Sequence, residues 1–86
     1  MKYTRIRNIR EDNDITQEEM GRYLHIAQRS YSRYENGDRA MPVETLIKIA
    51  DAFGTSVDYL LERTDEKEPY KYAKKYREKM MEKVIR

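Results

Sequence analysis

The chain has no cysteine, no tryptophan and a single histidine in 86 residues. Without thiols it cannot build a thiolate zinc site, a redox pair or a cysteine nucleophile, and one imidazole cannot make a multi-histidine metal site. Carboxylate metal sites stay open, but no EF-hand spacing appears, and neither a metal nor any other cofactor is expected. No apolar run approaches the roughly 18 residues of a membrane span, and the amino terminus lacks the apolar core of a signal peptide. These absences predict a soluble, cytoplasmic protein with no membrane partner. His25 has no nucleophile or second base beside it in the sequence, and Glu18 and Glu19 read as exposed or capping groups. No acid–base constellation can be argued from them, and an enzyme is not expected.

Strong apolar residues are also scarce. Leu, Ile, Val and Phe number 15 of 86, below the roughly 20% that signals disorder when net charge is high. Net charge is only +2, from 18 basic and 16 acidic groups, so self-repulsion does not oppose compaction. Eight tyrosines and five methionines supply apolar area that the aliphatic count misses. The shortage is also local, since only Val84 and Ile85 of the 15 follow Thr64. A single core in residues 1–64 is therefore expected, because two cores would each be too small to offset chain entropy.

The composition changes at that point. Residues 1–64 hold 10 basic and 11 acidic groups, and residues 65–86 hold 8 and 5. The stretch TDEKEP from Thr64 to Pro69 has no apolar residue, and Pro69 disfavours helix before it. Residues 65–69 read as a linker. Residues 70–86 read as an amphipathic helix, with Ala73, Tyr76, Met80 and Val84 in one narrow stripe. At about two heptads the stripe is too short for a convincing coiled coil.

Before the linker, five short helical segments have recognisable ends. Tyr3, Ile6, Ile9 and Arg10 give the first helical period, over about Lys2 to Asp12, and Asn13-Asp14 break it. Thr16 and Glu19 have capping-box spacing at the start of the second, with Met20, Tyr23 and Leu24 turned inward. After a turn at His25 and Ile26, the third covers Gln28 to Glu35, with Tyr31 and Tyr34 inward, and ends at Asn36-Gly37. Pro42 opens the fourth, whose stripe of Leu46, Ile49, Ala50 and Phe53 stops at Gly54. Ser56 caps a fifth from Val57 to about Glu62. None is long enough to be stable alone in water, so the prediction is an all-α bundle around a shared core.

Two short helices joined by a tight turn fit the helix-turn-helix unit, whose second helix enters the DNA major groove. The helices can cross closely only over a small residue, and Gly21 is placed for it. The second helix then offers Gln28, Arg29, Ser30 and Arg33. Arg29, Arg33 and Arg39 cluster in this motif, whereas Glu44, Asp51, Asp58 and Glu62 fall on later helices. A basic face opposite an acidic one favours nucleic acid even on a chain of nearly balanced charge.

From about Ile6 to Leu61 the chain resembles the Xre-type, lambda-repressor-like helix-turn-helix family of bacterial and phage regulators. TQEEMGRYL, SYSRYENG and PVETLIKIADAFGTSVDYLL carry the resemblance. It implies a five-helix DNA-binding domain and a sequence-specific regulator of transcription, a repressor that binds a pseudo-palindromic operator in double-stranded DNA as a homodimer. It further implies base contacts from Gln28, Arg29, Ser30 and Arg33, phosphate contacts from Gln17, Asn36 and Arg39, and a structural ion pair between Arg10 and Glu35. Two positions depart from the family pattern: His25 stands where glycine is usual in the turn, and Ala27 where Ser or Thr commonly caps the recognition helix. The other reading of these residues is a protein-interaction module on the same fold, such as an antitoxin or a regulatory protein's partner.

Overall fold

The structure, a computed structural model, describes residues 2–69. The tail helix expected over 70–86 lies outside the described residues. Five helices follow in order: α1 (Thr4–Asp12), α2 (Gln17–Leu24), α3 (Gln28–Glu35), α4 (Val43–Ala52) and α5 (Val57–Leu60). The described residues contain no strand, and no helix among them is long and apolar enough to cross a membrane.

Helix α1 starts two residues later than its periodicity predicts, because Tyr3 is a core residue rather than a helical one. Its ring is buried, its hydroxyl accepts the Met41 N–H at 3.0 Å, and its own N–H donates to the Glu35 carbonyl at 3.2 Å. Those long-range bonds hold its backbone outside the helix at φ −94°, ψ 68°. Helix α2 opens on the complete capping box: the Thr16 hydroxyl accepts the Glu19 N–H at 3.1 Å, and the Glu19 carboxylate accepts the Thr16 N–H at 3.0 Å. Helix α5 is shorter than expected. Ser56 caps it at 3.0 Å, but the chain turns left-handed at Glu62 (φ 61°) after Leu60 and Leu61 have reached the core.

The core gathers one stripe from each helix. Ile6, Met20, Tyr31, Ile49 and Leu60 are its largest fully buried side chains. Tyr34 and Phe53, both expected inward, pack half-buried at its margin. Tyr23 does not face inward: it is 49% exposed. Met20 and Leu24 already fill the inward side of α2, and Tyr23 lies roughly 60 to 100° around the helix from them. Its ring instead carries the Lys48 ammonium, 5.9 Å from the centroid.

Residues 64–67, within and beside the expected linker, lie strapped to the domain. Arg5 donates to the carbonyls of Tyr59 and Thr64 and pairs with Asp65 at 2.7 Å, with its guanidinium 4.2 Å over the Tyr59 ring. The Thr55 hydroxyl donates to the Lys67 carbonyl at 2.6 Å.

Candidate nucleic-acid interface

Helices α2 and α3 meet where Gly21 has no side chain. A Cβ there would sit 2.9 Å from the Ile26 carbonyl oxygen and 3.4 Å from the Gln28 N and Cα. The turn between them is closed by His25 in the left-handed region (φ 59°), which lets the Ile26 N–H reach the Gly21 carbonyl at 2.9 Å. Glycine adopts this conformation freely and other residues at a cost, with histidine among the more tolerant. The turn thus keeps its shape with a side chain, which points into solvent.

Ala27 stands at the N-cap of α3 with extended backbone, φ −65° and ψ 147°, and no side-chain hydrogen bond. Its geometry suits a capping residue and only the oxygen is missing. Ala27→Ser is therefore expected to stabilise the domain by about 0.5–1 kcal/mol, read as a higher denaturation midpoint with an unchanged slope. A lower midpoint would show that this start of α3 does not tolerate a hydroxyl.

Along α3, Arg29, Arg33 and the following Asn36 lie within roughly 60° of one another at 3.6 residues per turn, and Tyr31 and Glu35 lie on the far side. Gln28, Arg29, Arg33, Asn36 and Arg39 are exposed, and Ser30 is half-buried. No carboxylate among the described residues pairs with Arg29, Arg33 or Arg39. Asn36 donates to the Ser32 hydroxyl at 3.4 Å. The loop after α3 is folded back by Asp38 and Arg39, whose N–H groups both reach the Arg33 carbonyl at 2.9 and 3.3 Å, with Gly37 left-handed at φ 83°. That turn holds Arg39 next to the end of α3.

The buried side of α3 is polar as well as apolar. Glu35 is 3% exposed. Arg10 Nε donates to its Oε2 at 2.9 Å and Arg10 Nη2 to its Oε1 at 3.0 Å, a bidentate pair across α1 and α3. The Tyr31 hydroxyl donates to Oε2 at 2.5 Å, and the Gln17 carboxamide to Oε1 at 3.3 Å. Arg10 has one further bond, to the Ile15 carbonyl at 2.7 Å. Burial pushes the Glu35 carboxyl up, but hydrogen bonds from Arg10, Tyr31 and Gln17 outweigh it and hold the group below its ordinary value. Burial and the hydrogen bond to Glu35 push the Tyr31 phenol well above the usual range. That hydroxyl is committed to Glu35 inside the core, which leaves Tyr31 no reach to a phosphate.

Gln17 was singled out from sequence without its tie to Glu35. One N–H of the carboxamide is spent on the core, which fixes the direction of its remaining polar atoms at the start of α2. The i, i+4 spacing of Tyr31 and Glu35 on an otherwise core-facing stripe was a signal for this network, since a carboxylate there needs several donors to be buried.

The family model described as helix-turn-helix matches residues 6–60. Curated relatives include the uncharacterised HTH-type transcriptional regulator YobD of Bacillus subtilis (strain 168), 34% identical over 65 residues, which are 76% of this chain and 58% of that protein. The cryptic phage CTXphi transcriptional repressor RstR of Vibrio cholerae serotype O1 is 41% identical over 64 residues, 72% of this chain and 57% of the relative. The HTH-type transcriptional regulator ImmR of Bacillus subtilis (strain 168) is 33% identical over 57 residues, 66% of this chain and 45% of the relative. The chain thus spans about half the length of the curated relatives it matches.

Proposed function

This chain belongs to the helix-turn-helix family, and we propose that it is a sequence-specific double-stranded DNA-binding regulator of transcription, a repressor that acts as a homodimer on a pseudo-palindromic operator. The observation that carries this reading is the two-sided recognition helix. Tyr31 and Glu35 lock one side into the core, and the opposite side presents the unpaired cations Arg29 and Arg33 to solvent. Laid in a major groove, α3 brings Gln28, Arg29, Ser30 and Arg33 to base edges, where arginine reads guanine with two hydrogen bonds. Gln17, at the start of α2, and Asn36 and Arg39, after α3, contact phosphates on either side and set the register. Two copies related by a dyad place their recognition helices about one helical turn apart, roughly 34 Å. Such a protein represses by occupying promoter DNA and needs no catalytic group.

Binding selection from randomised duplexes at two salt concentrations, followed by titration of variants on the selected site, tests the reading. Arg29→Ala is expected to weaken specific binding by about 1–3 kcal/mol and to relax preference at one position, whereas Gln17→Ala weakens all duplexes nearly equally. Arg39→Ala reduces the salt slope by about one ion. Equal losses for Arg29→Ala on the selected site and on random DNA would remove Arg29 from base recognition. Full tolerance of replacement at Gln28, Arg29 and Arg33 would turn the assignment to a protein-interaction module.

A further inference from the structure

Glu35 ends α3 and immediately precedes Asn36, while one of its oxygens holds Gln17 at the start of α2. It is itself 3% exposed and offers no surface to DNA. A carboxylate has about four acceptor positions on its two oxygens, and here all are taken: two by Arg10, one by Tyr31 and one by Gln17. Arg10 also fixes the lead-in to α2. Its Nη1 donates to the Ile15 carbonyl at 2.7 Å, and the Ile15 N–H returns to the Arg10 carbonyl at 3.0 Å. The Thr16 capping box then sets the first turn. The backbone of Gln17 is thus held by Arg10 and Thr16, and its half-buried side chain by Glu35.

The chemistry of that partner decides which way the carboxamide faces. An ionised carboxylate accepts and cannot donate, so the nitrogen end of the amide must turn toward it. The bond from Nε2 to Glu35 Oε1, at 3.3 Å, spends one of the two donors. The second donor stays on the same nitrogen, available to an acceptor outside the core, and a DNA phosphate is such an acceptor. A glutamine without this anchor samples several rotamers, and ordering one such side chain on association weakens binding by about 2- to 10-fold.

We propose that Glu35 is a positioning residue for DNA binding: held by Arg10 and Tyr31, it presets the Gln17 carboxamide for a phosphate of the DNA backbone and touches no DNA itself. This rests on the reading of Gln17 as a phosphate contact. It gives the Arg10–Glu35 pair a second role beside joining α1 to α3. Phosphates are alike in every sequence, so the effect falls on affinity for all duplexes and not on preference among them.

Two measurements on the full chain test this. In the free protein, one Gln17 side-chain N–H is expected to exchange with water more slowly than those of the exposed Gln28, followed by NMR with labelled glutamine. This measurement requires no variant to fold. Arg10→Met, Tyr31→Phe and Glu35→Leu together remove the anchor and leave no unpaired charge or hydroxyl in the core. In that background the Gln17 N–H groups exchange like those of Gln28, and a short duplex of random sequence is bound about 2- to 10-fold more weakly. Gln17→Ala then costs less affinity than in the parent, by the same factor. A purely structural Glu35 leaves the Gln17→Ala loss equal in the two backgrounds, and that outcome overturns the proposal. Slow exchange in the parent with binding unchanged by Gln17→Ala overturns it through the phosphate contact on which it rests. Fast exchange in the parent overturns it at the Glu35 tether.

Discussion

Glu35→Ala is expected to cost about 3–5 kcal/mol of folding stability, the cost of breaking a buried ion pair by removing one partner. Domains of this size have stabilities at the low end of about 5–15 kcal/mol, so much of the total would be lost. The reason lies in what is left behind. Arg10 keeps the Ile15 carbonyl as its one hydrogen-bond acceptor, with the exposed Glu11 carboxylate 3.9 Å away, while its side chain is 11% exposed, and the fully buried Tyr31 hydroxyl has lost its acceptor. Urea denaturation measures the loss. Replacing both charges with apolar residues, Arg10→Met with Glu35→Leu, is expected to recover the part owed to Arg10, because no uncompensated charge then remains in the core, while the Tyr31 hydroxyl stays without its acceptor. A double variant as unstable as Glu35→Ala would mean that the network supplies packing that hydrophobic residues cannot replace.

The same network sets the acid limit. The folded Glu35 carboxyl titrates below its ordinary value of 4.5. A carboxyl depressed in the folded state contributes stability above its unfolded pKa and loses it as pH falls through the folded one. The parent is therefore expected to lose stability below about pH 4.5, and the apolar double variant to lose less over that range. On the alkaline side the raised Tyr31 phenol has the opposite sign. Its contribution is complete below its ordinary value of 10.0 and declines as pH rises beyond it.

Gly21→Val is expected to be nearly as damaging, at about 3 kcal/mol, the upper end for overpacking a close contact. The first added carbon already meets backbone, the Ile26 carbonyl oxygen at 2.9 Å. Backbone cannot swing aside as a side chain can, so α3 must move away from α2. Helix propensity works the other way, since glycine within a helix costs about 1 kcal/mol relative to alanine. Gly21→Ala therefore loses less than Gly21→Val. The ordering Gly21 above Ala above Val in denaturation midpoint is the expected result, together with weakened DNA binding at temperatures where both variants remain folded. A valine variant as stable as the parent would show that the crossing can open freely.

Much of the fold was legible because its boundaries are local. The Thr16–Glu19 capping box, the left-handed Gly37 and Gly54, and the Leu46, Ile49, Ala50 stripe each act over a few residues, and each lies where its spacing put it. What the sequence did not disclose is long-range. Tyr3 fits the helical period of α1, and only partners at Glu35 and Met41 keep it out of that helix. Tyr23 has the right residue type for a core, but it sits at the edge of a stripe already filled. The hydrophilic TDEKEP reads as linker because polar contacts to Arg5 and Thr55 leave no periodicity to detect. At the interface, residue types on α3 suggested which side chains could read DNA. The dependence of Gln17 on Glu35 came only from geometry.

The Arg5 strap also orders events as the chain is made. Helix α1 gains its first anchors when Glu35 emerges, through Arg10 and the Tyr3 N–H, and α2 and α3 can then close over Gly21. Its remaining anchors, Tyr59, Thr64 and Asp65, are synthesised up to 30 residues later. At translation rates of about 5–20 residues per second, that leaves an interval of roughly 2–6 s. During it the guanidinium of Arg5 waits for partners, and the core around Met20 and Tyr31 still lacks Leu60. A nascent chain stalled in that interval would hold its helix-turn-helix pair without the last wall of the core that helices this short need.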